Sequence, residues 1–269
     1  MLMKHDHALS DSHIRELAVR QLADYDLNQP GTLFAENLKL SVTDAYRLQA
    51  SVAERRIARG ERTVGYKVGC TSPAIREQLG MDHCITGRLY DSECHPAGSK
   101  LSRQQFANLA IEGELAVELS RTPIPDDFNA AAIPACVSRI FPVIELHNHV
   151  IRGDVPSAGE LIANNAIHAG FVQGDGVLAG QVSGVEDQLS LKIFSDGEVI
   201  AACEGIQLIQ TIRSSLQWLL AHTNQIGEQL KAGQIVLTGS IPKLIPVSEN
   251  CQIKVVTKPF GSVDVEFTD

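Results

Sequence analysis

The chain has 269 residues, of which 44% are hydrophobic and 20% charged, and this balance is typical of a globular protein with one or two domains. Its net charge of −9 disfavours nucleic acid and anionic membrane surfaces as partners, because such a surface repels phosphate groups. A small anionic substrate would therefore need local positive charge, from a metal ion or a buried lysine.

The cysteines and the N-terminal segment indicate a protein of the cytoplasm. No CxxC pair or zinc-finger spacing occurs, so we expect small buried thiols in a reducing compartment. The first 22 residues lack the apolar core of a signal peptide, and no apolar run is long enough to span a membrane. His5 and His7 are interpreted as solvated residues of a terminus rather than as metal ligands. The six cysteines are at positions 70, 84, 94, 136, 203 and 251.

Two segments near the N-terminus have the pattern of helices. Residues 10–12, Ser-Asp-Ser, precede apolar residues at helical spacing and can cap a first helix. Thr43 and Asp44 are predicted to cap a second helix, which Gly60 ends. The sequence thus predicts an N-terminal helical region over residues 1–62.

From residue 63 onward the pattern changes to short strands. Residues 63–69 are β-branched and bounded by turn residues, and Ser72-Pro73 opens a short helix. One later helix carries Trp218 on an apolar stripe, which indicates core packing. Strands and helices do not alternate regularly, which argues against a Rossmann or barrel fold. The predicted strands are residues 85–90, 111–119, 143–147, 169–172, 191–194, 199–203, 234–238, 252–257 and 263–267, and the helix is 206–225.

Two carboxylates share one face of the strand that contains IEGEL. Because strand side chains alternate, Glu112 and Glu114 project together, and their apolar neighbours indicate burial. Glu145 lies in a second apolar strand. Three buried carboxylates favour a hard divalent ion such as Mg²⁺ or Mn²⁺, with positions left open for the carboxylate and keto oxygens of a 2-oxo acid. The alternative is an exposed strand face, with Glu145 paired to an arginine.

Lys67 lies within the apolar segment TVGYKVG. A lysine there either extends its ammonium group to solvent or binds a substrate carboxylate or moves a proton. Gly65 and Gly69 on either side predict that a ligand approaches the backbone closely.

Six segments together resemble one enzyme family. The chain is similar to the 2-oxopent-4-enoate hydratase and 4-oxalocrotonate decarboxylase family, within the fumarylacetoacetate hydrolase superfamily, from about residue 40 to its end. The matching segments are GYKVGCTSPAIREQLG, GRLYDS, IEGELAVEL, FPVIELHN, IVLTGS and PFGSVDVEF.

The resemblance implies an α+β fold, a mixed β-roll over residues 63–269 with a small N-terminal helical domain. It implies Mg²⁺ or Mn²⁺ on Glu112, Glu114 and Glu145, and it matches Lys67 to the active-site lysine of the family. It also places Leu79 in the lining of the substrate pocket and implies a homo-oligomer.

Several positions depart from the family pattern. Ile85 replaces an aspartate, Ala110 stands in a segment that is usually Pro-Arg, and Ile167 replaces a serine. Val150 stands where an arginine is expected, although Arg152 remains. A more apolar pocket, a different substrate and loss of activity are the alternatives that follow.

Two histidines are further candidates. His168 adjoins the replaced serine position, where it either contacts substrate or serves as an ordinary core histidine. His147 shares a strand face with Glu145 by the period of two, so a contact with that metal ligand is one alternative.

The sequence therefore predicts a metal-dependent lyase that hydrates a small 2-oxo-enoate or 2-hydroxydienoate in aromatic catabolism. The alternatives are a decarboxylase, or a tautomerase or hydrolase, on the same scaffold. A further alternative is a non-catalytic protein that binds a 2-oxo acid or supports a related pathway enzyme in a complex.

Overall fold

A computed structural model describes residues 8–130, 132–150, 157–182 and 188–269. His5, His7 and Arg152 lie outside these ranges. The helices are α1 (Asp11–Asp26), α2 (Thr32–Ala35), α3 (Val42–Ala58), α4 (Pro73–Gln78), α5 (Ala158–Ala163) and α6 (Gln207–Gln225). The strands are β1 (Thr63–Gly69), β2 (Ile85–Tyr90), β3 (Cys94–Pro96), β4 (Ser99–Ser102), β5 (Leu109–Leu119), β6 (Val137–Asn148), β7 (His168–Gln173), β8 (Val177–Leu178), β9 (Ser190–Ser195), β10 (Glu198–Glu204), β11 (Ile235–Leu237), β12 (Ile245–Pro246), β13 (Cys251–Lys258) and β14 (Gly261–Thr268).

The ends of the two long N-terminal helices test the predicted caps. The Ser10 hydroxyl accepts the amide of His13, so the predicted start of α1 is confirmed. The predicted cap of α3 is wrong by two residues, because Ser41 is the capping residue and its hydroxyl accepts the Asp44 amide at 3.1 Å. Gly60, with φ of 106°, follows the last turn as predicted.

Two mixed β-sheets form the body of the described chain. The first has the order β2-β1-β11-β5-β6-β7-β3, with β12 paired to β5 and β8 to β6. The second has the order β10-β9-β13-β14-β4. Most pairs are antiparallel, whereas β1–β11, β3–β7 and β4–β14 are parallel. The long strands β5 and β6 lie in the middle of the first sheet and carry the carboxylates of interest.

One face of β5 packs on the second sheet. A Cβ atom on Gly113 would lie 2.8 Å from side-chain atoms of Ile193 and Val255, so a larger residue would push the two sheets apart. The opposite face of the first sheet is lined by Phe141 and Phe171, which are fully buried. Glu112 and Glu114 therefore project from the face of the first sheet that points away from the second sheet, as the period of two predicts.

The N-terminal helices pack on α5 and on the start of β2. Leu17 of α1 and Leu48 of α3 belong to one buried cluster with Leu161, Ile162 and Ile85. The division into a region 1–62 and a domain 63–269 stays a prediction.

Three smaller predictions concern the surface and the core. No helix within the described ranges is long and apolar enough to cross a membrane. All six cysteines are free, but only Cys136 is buried and the other five are partly exposed, so the prediction of uniformly buried thiols is wrong. Trp218 packs against the main core and stacks on His222, in agreement with the predicted packing role.

Candidate metal centre

The register of β5 and β6 places two carboxylates face to face. Glu112 is directly opposite Glu145, and Glu114 lies two residues further on the same face. The Glu145 and Glu114 side chains are almost completely buried, whereas Glu112 is 22% exposed. The alternative of an exposed strand face is therefore wrong, and so is the pairing of Glu145 with an arginine, because its cationic partner is Lys67.

Glu114 is anchored through one oxygen and free at the other. Its Oε2 accepts the backbone amide of Gly239, in the loop after β11, while Oε1 has no hydrogen-bond partner in the described chain. Burial raises the pKa of Glu114 well above its usual range, and the charges of Glu145 and Glu112 raise it further. A cation beside Oε1 would offset both the cost of burying the Glu114 carboxylate and its repulsion by Glu145 and Glu112.

Lys67 contacts the carboxylate cluster through Glu145. Its Nζ is 3.2 Å from Glu145 Oε1 and donates to the Ala166 carbonyl at 3.3 Å. Burial lowers the pKa of Lys67, but the three carboxylates, Glu145 first among them, outweigh burial and raise it. When all three carboxylates are ionised and Lys67 is protonated, the cluster carries two negative charges, which one divalent cation would neutralise. The donor set therefore fits such an ion.

Two histidines contact Glu145 from either side. His168 Nδ1 hydrogen-bonds Glu145 Oε1 at 2.7 Å. His147 Nε2 lies 3.6 Å from Glu145 Oε2 and 3.4 Å from Glu112 Oε2. Burial raises the pKa of Glu145, but Lys67 and the two histidines outweigh it and hold that pKa below its usual range. Glu145 is thus a carboxylate with one oxygen engaged by Lys67 and His168 and the other facing His147.

The loop before His168 carries the carbonyl that holds Lys67, and its backbone is strained. Asn165, Ala166 and Ile167 all have φ near +55°, which β-branched and alanine side chains rarely adopt. The Asn165 side chain clamps the loop to β2, because Oδ1 accepts the Arg88 amide at 2.7 Å and Nδ2 donates to the Arg88 carbonyl at 2.9 Å. Strain in this loop is therefore opposed by a two-point contact with the sheet.

We expect Asn165→Ala to destabilise the fold by about 1–3 kcal/mol, since the Arg88 backbone loses both partners. It should also lower turnover, because the Ala166 carbonyl would no longer hold Lys67 in place. Denaturant unfolding and steady-state kinetics measure the two effects. Asn129→Ala is the control, since its single contact with Asp126 is exposed, and a change of equal size there would contradict the prediction.

The remaining predicted residues lie around this cluster. Leu79 follows α4 and packs against the N-terminal core cluster, as Ile167 also does. The Ile85 side chain and the Lys67 ammonium group both lie next to Gly69, so Ile85 places an apolar surface beside the ammonium group. Ala110 is fully buried in β5, and Val150 follows β6.

The predicted role of Gly65 is wrong. A Cβ atom there would lie 1.8 Å from the Ile235 carbonyl oxygen, so the close neighbour is the parallel strand β11 and not a ligand. At Gly69 the space is bounded by Lys67 Nζ and Ile85, each 3.3 Å from a Cβ position, which leaves this glycine beside the cluster.

The site is defined by its chemistry and not by cavity size. Two open surface cavities are present. The first, of about 810 Å³, lies between β9, β13 and the start of α6. The second, of about 740 Å³, lies beside the loop before β11. None of the cluster residues lines either of them. The charge imbalance and the unpartnered buried atoms therefore identify the candidate centre.

Comparisons with known proteins agree with the resemblance found in the motifs. No family model matches the chain. A 2-keto-4-pentenoate hydratase of Burkholderia vietnamiensis is 28% identical over 84% of this chain and 86% of its own length. A 4-oxalocrotonate decarboxylase of Pseudomonas putida is 26% identical over 85% of this chain and 86% of its own. The predicted resemblance to the hydratases and decarboxylases is thereby confirmed.

The fold has a close counterpart among solved structures. The 4-oxalocrotonate decarboxylase from Pseudomonas putida G7, complexed with magnesium and adipate, superposes with a TM-score of 0.86 at 24% identity, over 98% of this chain and all of the other. The predicted α+β fold with its N-terminal helices is confirmed by this match.

Proposed function

We propose that this chain is a metal-dependent lyase that adds water to a small 2-oxo-enoate or its 2-hydroxydienoate tautomer, in aromatic catabolism. The observation that carries the proposal is the buried cluster of Glu112, Glu114, Glu145 and Lys67, in which three carboxyl groups share a single ammonium group. The similarity to a 2-keto-4-pentenoate hydratase over 84% of the chain supports the substrate class.

The three glutamates would hold Mg²⁺ or Mn²⁺. Magnesium is bound in the similar decarboxylase structure, and hard cations prefer carboxylate oxygens. When bound, the ion supplies a Lewis acid that polarises the keto oxygen of a 2-oxo acid. Glu112, the most exposed of the three, would be the ligand on the solvent side.

The protein's own groups position the reaction. Lys67 keeps its proton because of the carboxylates around it, and its Nζ would either bind the substrate carboxylate or give a proton to the substrate carbon. His168 holds Glu145 from the opposite side, and its Nε2, which has no partner among the described residues, would face a bound substrate. Leu79 would contribute to the apolar lining of the pocket. In hydration the hydroxyl of one water joins one carbon of the conjugated double bond and a proton joins the other.

Decarboxylation is the second candidate, because a relative of nearly equal identity is a 4-oxalocrotonate decarboxylase. Both reactions use the same polarised 2-oxo group as an electron acceptor. They differ in what leaves or adds at the neighbouring carbons. Ile85 lies beside the Lys67 ammonium group and packs in the same apolar cluster as Ile167, and these side chains would influence which reaction is favoured.

The experiment mixes purified protein and Mg²⁺ or Mn²⁺ with 2-hydroxypenta-2,4-dienoate and follows the diene absorbance. A loss of absorbance with formation of a hydroxy-oxo acid supports the hydratase. Release of carbon dioxide from 4-oxalocrotonate, without hydration of the dienoate, would assign the decarboxylase instead. Tight metal binding with neither reaction would leave a non-catalytic 2-oxo-acid-binding protein.

We expect Glu114→Ala to abolish measurable binding of the divalent ion, or to weaken it at least about 100-fold, because even residues that merely touch a metal ligand contribute about 10–100-fold. Isothermal titration calorimetry measures the affinity. Glu118→Ala is the matched control, since Glu118 lies on the same strand and is held at the surface by Arg139. Unchanged affinity in Glu114→Ala would remove this residue from the ligand set.

The proposal includes a cytoplasmic homo-oligomer. The six free thiols support a reducing compartment. Assembly is supported by β10, which pairs only with β9 in the described sheet and exposes Val199 and Ile200. Sedimentation equilibrium tests the oligomeric state.

A further inference from the structure

The His147 ring is buried beside the carboxylates without a hydrogen bond. Its side chain is 2% exposed, and neither ring nitrogen finds a partner among the described residues. Burying an imidazole in this state costs the hydration of both nitrogens, and buried polar groups are otherwise almost always paired. We therefore expect His147 to have a partner that none of the described residues supplies.

Neither carboxylate beside His147 accepts a hydrogen bond from its ring. The separations of Nε2 from Glu112 Oε2 and Glu145 Oε2, 3.4 and 3.6 Å, are outside the usual range for a charge-assisted hydrogen bond. Glu145 Oε1 is already engaged by Lys67 and His168, so that oxygen is not available to His147.

The same separations suit three ligands of one ion. One donor atom from each of Glu112, Glu145 and His147 lies within 4.8 Å of the other two. Two ligand atoms at right angles on a six-coordinate ion, each about 2.1 Å from it, are about 3 Å apart. The two separations from His147 Nε2, 3.4 and 3.6 Å, need to contract by only about 0.4–0.6 Å to reach this spacing.

We propose that His147 Nε2 is a direct ligand of the metal ion, in addition to the three glutamates Glu112, Glu114 and Glu145. This inference rests on the proposed function in one respect, namely that the carboxylate cluster holds a divalent ion. A nitrogen donor makes the site softer than three carboxylates alone do, because imidazole favours ions such as Fe²⁺, Co²⁺ and Zn²⁺ over Mg²⁺. The centre therefore prefers a transition metal to magnesium.

The first test detects the nitrogen directly in the unmodified protein. Mn²⁺ is bound to the purified chain, and pulsed electron paramagnetic resonance measures the hyperfine coupling of the ion to ¹⁴N. A directly bonded nitrogen gives a coupling that uniform ¹⁵N labelling changes. Bound Mn²⁺ without nitrogen coupling would overturn the inference and leave the proposed function intact, whereas absence of any metal binding would overturn both.

The second test compares variants by calorimetry with Mg²⁺ and Co²⁺. We expect His147→Leu to weaken Co²⁺ binding at least about 100-fold and Mg²⁺ binding much less, since Mg²⁺ gains little from a nitrogen donor. His147→Gln, with an oxygen donor at this position, should shift the preference toward Mg²⁺. His95→Leu, at a half-buried histidine of β3 outside the cluster, should leave both affinities unchanged. Equal losses for the two ions in His147→Leu would contradict the inference.

Discussion

Glu145→Gln is expected to lose divalent-metal binding and activity together, since Glu145 is the group at which the other site residues converge. The amide preserves the volume but removes the charge that faces Lys67 at 3.2 Å. Metal affinity should fall at least about 100-fold, which exceeds the effect of residues that only touch a ligand. Turnover should fall with it to the background rate.

The same substitution should destabilise the metal-free protein. Removing one partner of a buried ion pair costs about 3–5 kcal/mol, because the other charge stays buried without compensation. Lys67 still faces Glu112 and Glu114 in this variant, so we expect a smaller cost, about 1–3 kcal/mol, from the weakened contacts of Lys67 and His168 with the neutral side chain. Urea unfolding in the presence of a chelator measures this change, and titration calorimetry measures the metal affinity.

Glu228→Gln is a control that separates loss of stability from loss of metal affinity. Glu228 is a partly buried carboxylate paired with Arg88 and hydrogen-bonded to Tyr66, and it lies outside the metal cluster. This control should lower stability and leave the metal affinity unchanged. Retention of metal binding by Glu145→Gln would remove Glu145 from the ligand set, and an equal loss in both variants would show that reduced stability alone explains the effect.

The local features of the site followed from the sequence because they depend on strand periodicity. The alternation of β5 placed Glu112 and Glu114 on one face. The apolar segment around Lys67 left solvent exposure and burial as alternatives, and the structure shows burial. The fold class followed from the order of motifs along the chain. These features depend on neighbours in the sequence or on a similarity that extends over most of its length.

The features that the sequence did not predict depend on contacts between distant segments. The register that sets Glu112 opposite Glu145 is decided by the whole β5–β6 pair, and the Ile235 carbonyl that lies against Gly65 belongs to a strand 170 residues later. The strained backbone at residues 165–167 is held by contacts with distant segments, among them the two hydrogen bonds from Asn165 to the backbone of Arg88 in β2. At α3, Thr43 and Asp44 were predicted as the cap, whereas Ser41, two residues earlier, is the capping residue.

His147 combines a feature that strand periodicity predicts with one that depends on contacts between distant segments. Its position on the same strand face as Glu145 was visible from the period of two. That its ring is buried with both nitrogens unpartnered among the described residues depends on the packing of the surrounding strands, which the sequence does not display. A histidine two residues after a candidate ligand is therefore a signal for a mixed ligand set when both lie in an apolar strand.

Lys67→Met should separate metal binding from turnover. The substitution removes one positive charge from the cluster and leaves three carboxylates, so the divalent ion should bind at least as tightly as in the unmodified protein. Turnover should nevertheless fall by about 10²–10⁴-fold, the usual contribution of a proton-transfer group. The pair of measurements is titration calorimetry for the ion and loss of diene absorbance for the reaction.

Lys100→Met is the control, because Lys100 forms an ion pair with Glu266 at the surface and its side chain is 71% exposed. It should change neither measurement, since exposed ion pairs contribute about 1 kcal/mol or less to stability. Turnover of Lys67→Met within tenfold of the unmodified protein would show that Lys67 only balances the charge of the glutamates. Weaker metal binding in Lys67→Met would instead show that its contacts with Glu145 and the Ala166 carbonyl organise the ligands, and the lysine would then be a positioning residue.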